Sequence, residues 1–334
     1  MRCVAFGADE VRTALRRCWQ CSPSDCVPLA ESPWRVDGGG GSDWPHSWRV
    51  SVGAQLFLAR HLPLARRAQF EAGLRAAERL ESNGIAAGEP VRAADGALTV
   101  ATEGGGFLAL LRWVPGRPLH GDDPIDQQWW GDTLATVHRV LAGFTHPGLA
   151  RFYSVHPEAP HLSLEDWLRP AVQAAVTAVR KLCVTDQLTY GVLHGDPSPE
   201  EFRLDPETGR IGLVEWGCAG TGPLVYDVAA AVLFAGGAEA SVELLDGYFA
   251  DAAAQHTELL PAGAPGGGGV GPVTPHPAVS KEECAAALPT MLRFRAAVLA
   301  DRFAARLFAA GGVHCGPAAD RAALGAAGLV LRSR

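Results

Sequence analysis

The stretch VLHGDPSPEEFRLDPETGRIGLVEWG, residues 192–217, decides how the rest of the chain is read. It holds a His-Gly-Asp turn with Asp196, the pair Glu200 and Glu201, two short strands joined by PETGR, and a third acid, Glu215. Charged residues make up only 19% of the chain, so acids gathered beside apolar strands ask for a reason. They are either solvated loop acids or the ligands of a cation. Mg²⁺ accepts hard carboxylate oxygens, and close carboxylates without a cation repel until one keeps its proton. Because the PETGR turn returns Glu215 beside the loop of Asp196 and Glu201, the three are expected to converge on one cleft, where a cation such as Mg²⁺ would satisfy them.

Upstream, the pattern is strands with one inserted helix. Residues 8–20 have helical spacing, with Val11, Leu15 and Trp19 recurring at four. LAESPWRVD (29–37), WRVSV (48–52) and GAQLFLARHL (53–62) read as strands, with the glycine run Gly38–Gly41 between the first two. That run either lets the backbone approach phosphate or is simply flexible. Residues 66–83 form an amphipathic helix that stops at Gly84, a natural cap position. Strands at 97–101 and 107–114 follow, joined by TEGGG. After PGRPL the character is helical: 127–143, 163–188, 224–237, 240–254 and the tail from Lys281 to Arg334. Residues 261–277 are low-complexity and read as flexible. The expected plan is α+β and two-lobed: an antiparallel-sheet lobe of five strands over 1–114, and a mostly helical lobe over 115–334.

Bulk properties set limits. A chain of 334 residues with 48% hydrophobic residues has ample material for a core. The net charge of −7 gives no general attraction to nucleic acid or to an anionic membrane. No run approaches the length of a membrane span, and the start has acids where an export signal needs an apolar stretch. Cys18 and Cys21 form a CxxC, but no second pair completes a zinc site, and scattered reduced thiols fit a cytoplasmic protein. The lysines are Lys181 and Lys281 alone, so none lies in the N-terminal half.

The ordered set FEAGLRAAERLESNGI, LLRWVPGRPL, GDTLATVHRV, residues 192–216 and GPLVYDVAAAV resembles the aminoglycoside phosphotransferase family, small-molecule kinases with a protein-kinase-like fold. The resemblance runs from about Leu29 to Asp227. It implies ATP and Mg²⁺ as cofactors and a hydroxylated small molecule as acceptor. It implies adenine on the hinge backbone at Arg112, Trp113 and Val114, and Asp196 as the residue that orients or deprotonates the acceptor hydroxyl. Glu201 stands where the family has a metal-binding Asn, and Glu215 where it has a metal-binding Asp. Gly73 stands where the sheet-lobe helix offers a Glu, and Ala59 where the third strand offers a Lys. Arg60 is the neighbouring cation, and alternation along the strand turns it from the cleft unless a bulge or register shift intervenes.

Two functions follow: an ATP-dependent small-molecule kinase, or a non-catalytic pseudokinase that binds or scaffolds. Asp227 is read as a brace for the HGD loop or as a helix-surface acid, and His194 as a turn residue. Arg293 and Arg295 reach an anionic substrate or, on the safer reading, make helix-surface ion pairs. Trp129 and Trp130 line the substrate cleft or pack between the lobes.

Overall fold

A computed structural model describes residues 6–29, 46–103, 105–151, 155–185, 187–250 and 278–333. The expected strand at 29–37, the glycine run and the flexible stretch at 261–277 therefore lie outside the described residues, Leu29 excepted.

Helix α1 (Ala8–Cys18) opens the described chain, with Gly7 at its N-cap and the Glu10 carboxylate on the Gly7 N–H at 2.9 Å. Strands β1 (Asp25–Pro28), β2 (His46–Val52) and β3 (Gln55–Pro63) follow. Then come helix α2 (Arg67–Glu81), β4 (Pro90–Val91), β5 (Val100–Ala101) and β6 (Gly106–Arg112). Among the described residues the sheet has six strands, two of them (β1 and β4) beyond those expected, in the order β1-β2-β3-β6-β4 with β5 also on β6, and every pair is antiparallel. The extra strands are short pieces whose two to four residues are too few to show a period. Past α2, Gly84 sits at φ +82°, the left-handed value that a residue with a Cβ adopts only at a cost.

Both faces of this sheet are covered. Val11 and Leu15 of α1 pack with Val50, Phe57, Ala59, Leu108 and Leu110 on one face. Phe70 and Leu74 of α2 pack with Leu58, Leu62, Phe107, Ala109 and Leu111 on the other. Alternation along β3 thus sends Phe57 and Ala59 toward α1, and Leu58, Arg60 and Leu62 toward α2.

The second lobe is mainly helical: α3 (Pro124–Val140), α4 (Leu168–Thr185), α5 (Val225–Phe234) and α6 (Val242–Phe249). The tail divides into α7 (Lys281–Ala309) and α8 (Ala318–Arg332). Helix α3 packs on α6, and α7 packs on α4, α5 and α8 around one continuous core. Short strands carry the quoted stretch: β7 (Ala150–Arg151), β8 (Tyr190–Leu193), β9 (Phe202–Leu204), β10 (Ile211–Leu213) and β11 (Gly220–Pro223). Strands β9 and β10 pair as the hairpin expected from PETGR, and β8 lies beside β11.

Candidate active site

The site is built where β3, the chain after β6 and the 192–217 stretch meet. Arg60 is 1% exposed, and its Nη1 donates to Oε2 of Glu215 at 2.6 Å. This corrects the expectation that Ala59 faces the cleft and that Arg60 needs a bulge. The register from Phe57 to Pro63 against β6 is unbroken, and Ala59 is buried under α1 instead. Sequence alternation was right about parity, but it could not say that a helix fills the opposite face.

Gly73 explains why Arg60 reaches across the lobes rather than to its own helix. A Cβ at Gly73 would stand 2.0 Å from the Trp216 carbonyl oxygen, so no side chain fits there. Helix α2 and the turn after Glu215 are in backbone contact instead. Arg66 donates to the Gly217 carbonyl at 3.3 Å and Gln69 to the Ala219 carbonyl at 3.1 Å. Glu215 itself is left-handed, at φ 70° and ψ 52°.

The loop with Asp196 is held from several sides. Asp227, fully buried, accepts from the N–H of His194 at 2.6 Å and of Gly195 at 3.0 Å. It is the brace, not a surface acid. His194 donates from Nε2 to the Val214 carbonyl at 2.8 Å, which ties the loop to the strand leading to Glu215. Burial holds the His194 ring well below the usual imidazole range, so it is a neutral donor here. Trp130 is buried and donates from Nε1 to the Pro197 carbonyl at 3.1 Å, while Trp129 is exposed. Trp130 therefore secures the HGD loop, a role that neither sequence reading of the tryptophan pair foresaw.

Arg295 is the larger surprise. It is fully buried, bonds the Asp196 carboxylate, and donates to the Gly195 carbonyl at 3.0 Å and to the Tyr226 hydroxyl at 2.9 Å. Its charge survives burial because Tyr226, Asp196 and Asp227 surround it and hold it above the ordinary guanidinium value. The surface reading of Arg295 is thus corrected, whereas Arg293 is exposed and bonds the Ser333 carbonyl. The missed signal was an arginine inside the run FRAAVLA, whose other residues are buried on every side.

A cleft of about 180 Å³ lies between the sheet, the chain after β6 and residues 200–215. Its walls include Leu58, Leu111, Arg112, Trp113, Val114, Glu200, Glu201 and Glu215. Glu201 and Glu215 therefore share one cavity with the hinge. Asp196 is not among the lining residues, and its carboxylate goes to Arg295. Among the described residues no group of three His, Cys, Asp or Glu is placed to hold a metal, so the expected three-acid cluster is not formed. Two hard carboxylates in the cleft, Glu201 and Glu215, are still a donor set of the kind a divalent cation takes. At the hinge, the N–H groups of Arg112 and Trp113 are used within the sheet lobe, by the carbonyls of Glu89 at 2.8 Å and Leu56 at 3.2 Å.

Comparison with known proteins agrees with this layout. The model of the family described as "Phosphotransferase enzyme family" matches residues 39–262. No match is found among the curated proteins. Of the solved structures, an amicoumacin kinase in complex with AMP-PNP and Ca²⁺ superposes with a TM-score of 0.68 at 15% identity, over 98% of this chain and 94% of that one. A microcompartment-associated aminopropanol kinase gives 0.65 at 17% identity, over 97% and 95% of the two chains. Choline kinase LicA from Streptococcus pneumoniae gives 0.62 at 13% identity, over 98% and 99%. The fold is the two-lobed kinase-like one. Among the described residues no helix is long and apolar enough to cross a membrane.

Proposed function

Because this chain belongs to the phosphotransferase enzyme family, we propose that it moves the γ-phosphoryl group of ATP to a hydroxyl of a small molecule in the cytoplasm. The observation that carries this reading is the Arg60–Glu215 pair: a buried cation on the central strand, bonded to a carboxylate that lines the hinge cleft. Phosphoryl transfer asks a protein mainly for positioning and for positive charge near the phosphates. Arg60 supplies such a charge although no lysine occurs in the N-terminal half.

Adenine would lie on the hinge at Arg112, Trp113 and Val114, using carbonyls and the Val114 backbone, since two of the N–H groups are already engaged. The acceptor oxygen attacks the γ-phosphorus, the bond to the β,γ-bridging oxygen breaks, and ADP leaves. Asp196 orients the acceptor hydroxyl and takes its proton. Arg295 and the Asp227 brace keep that carboxylate in place. Mg²⁺, when bound, offsets phosphate charge, and Glu201 and Glu215 are the carboxylates in the cleft that would hold it.

The neighbours' own acceptors, amicoumacin, aminopropanol and choline, support a small hydroxylated acceptor without choosing one. A nucleotide-binding module without turnover is the second reading. The ion pair that engages the Asp196 carboxylate favours it. A panel of hydroxylated small molecules assayed for ADP release, with product mass to show an added phosphate, tests the first. Asp196→Asn should then cut transfer by about 10²–10⁴-fold, the range of general-base effects, and leave ATP affinity in place. ATP binding with no product across the panel would leave the module reading standing.

A further inference from the structure

Arg203 is the middle residue of β9, and the hairpin sets which way it points. Its neighbours Phe202 and Leu204 are buried in the core of the helical lobe. Alternation along the strand turns Arg203 to the opposite face. There it is half-buried and lines the cleft. Backbone bonds fix its place along that cleft. The Leu204 N–H donates to the Arg117 carbonyl at 2.8 Å, and the Arg117 N–H donates to the Leu204 carbonyl at 2.9 Å. Arg117 follows shortly after the hinge residues Arg112–Val114. On the other side of the hairpin, Arg203 pairs with Gly212, and the next residue, Leu213, donates to the Ala86 carbonyl at 2.9 Å. Ala86 is followed by Ala87 and Gly88, which also line the cleft. Both edges of the hairpin are thus tied to chain beside the hinge, and Arg203 stands at the hinge end of the cavity.

The guanidinium is anchored without being neutralised. Its Nη1 donates to the Phe202 carbonyl at 2.9 Å and also to the Glu200 carbonyl. Among the described residues Arg203 makes no ion pair, although Glu200, Glu201 and Glu215 line the same cleft. Arg112, the other arginine in the cleft wall, is paired with Glu89 at 3.2 Å. The facing wall comes from the sheet and is aliphatic there, with Leu58 and Leu111, while Val214 lies on the hairpin side. A slot with aliphatic groups on one wall and a guanidinium on the other suits a flat aromatic ring. The ring quadrupole attracts a cation placed over its face, and arginine planes stack on nucleobases. A sugar or an alkyl chain offers no such face.

We propose that Arg203 recognises the base of the nucleotide: its guanidinium stacks on the purine and holds it against Leu58 and Leu111, and it does not serve the phosphates. The proposal rests on the phosphotransferase reading and adds to it a binding residue which that reading leaves out. It is tested by calorimetric titration of ATP, ADP and tripolyphosphate in Mg²⁺. Arg203→Ala should weaken ATP and ADP by the same factor, about tenfold, the size of one desolvated cation–π contact. That factor should hold from low to high salt, and tripolyphosphate should bind the variant as it binds the wild type. A contact to phosphate behaves otherwise. The loss would then be larger for ATP than for ADP, would shrink as salt screens it, and would extend to tripolyphosphate; that pattern overturns the proposal.

Arg203→Lys separates charge from plane, since an ammonium keeps the first and lacks the second. It should recover less than half of the lost affinity for ATP, and full recovery would mean that charge alone is at work. Should Arg203→Ala fail to fold, Arg203→Gln carries the same test, because its amide can still donate to the Glu200 carbonyl. ATP and ADP affinities equal to those of the wild type would make Arg203 only a tie within the hairpin. If the wild type binds neither ATP nor ADP, the phosphotransferase reading falls, and the role of Arg203 falls with it.

Discussion

Arg295 keeps a charge where no water reaches, and that is possible only because its partners are equally fixed. One guanidinium bonds the Asp196 carboxylate, the Gly195 carbonyl and the Tyr226 hydroxyl. Its carbon also lies over the Tyr226 ring at 5.5 Å and the Phe234 ring at 5.8 Å. Burial pushes the Tyr226 phenol above its usual value, so it stays a neutral acceptor for the arginine. Taking away one member of such a pair leaves the other desolvated, which costs about 3–5 kcal/mol. Arg295→Met should therefore lower unfolding free energy by about that much, measured by urea titration. Arg295→Lys should restore only part of it, because an ammonium lacks the fork that holds two acceptors together. Asp196→Leu added to Arg295→Met should recover stability relative to Arg295→Met alone, as the lone carboxylate is gone. If Arg295→Met is as stable as the wild type, the pair is solvated and the arginine is not fixing the Asp196 carboxylate.

Helix α2 shows how an element transmits such constraints. A Gly73→Ala change gains about 1 kcal/mol of helix propensity. Against it stands a Cβ 2.0 Å from the Trp216 carbonyl oxygen. A backbone carbonyl cannot swing aside as a flexible side chain does, and overpacking costs about 1–3 kcal/mol. The clash should win: Gly73→Ala lowers the melting temperature and, by lifting residues 215–219 off α2, weakens ATP binding as well. A variant that is more stable than the wild type with unchanged ATP affinity would show the contact to be loose. Helix α3 offers a test by pH. Asp126 near its start accepts from Arg117 at 2.6 Å and 2.8 Å and from the His120 N–H at 2.7 Å. The Arg117 guanidinium, then the His120 N–H, hold the Asp126 carboxyl below the usual range against the opposing effect of burial. Its folded value is thus below its unfolded one, so its contribution is complete above the unfolded value of about 3.9 and is lost as pH falls through the folded one. The wild type should lose stability below about pH 4 more steeply than Asp126→Asn, read from thermal melts across that range. Equal slopes would mean that the pair contributes nothing.

At the scale of the whole molecule, the contacts that finish the site join residues far apart in the chain, and this sets what could be read from sequence. The HGD loop, the β9–β10 hairpin and α2 announce themselves because a turn or a period fits in a few residues. Arg60 was misjudged because nothing in LFLARHL tells that α1 covers the face of Ala59. Arg295 was misjudged because its partner Asp196 lies 99 residues away, and helix spacing cannot name a partner on another element. The same long-range assembly leads to the last prediction. Leu58 comes from the sheet, Glu215 and Glu201 from the hairpin stretch, and the hinge from the end of β6, so the cleft exists only when both lobes are folded together. ATP would thus bind the native chain and not the unfolded one, and a ligand of that kind stabilises by about 2.7 kcal/mol at a hundredfold excess over its dissociation constant. For a chain of this size that raises the melting temperature by several degrees, at roughly 2–4 °C per kcal/mol. Thermal melts with ATP, with Mg²⁺, and with both should show a shift for ATP and a larger one for the pair, with Mg²⁺ alone giving little. Melts that do not move with either ATP mixture would mean that the cleft takes no nucleotide. In that case the buried Arg60–Glu215 pair would be only a link between the lobes.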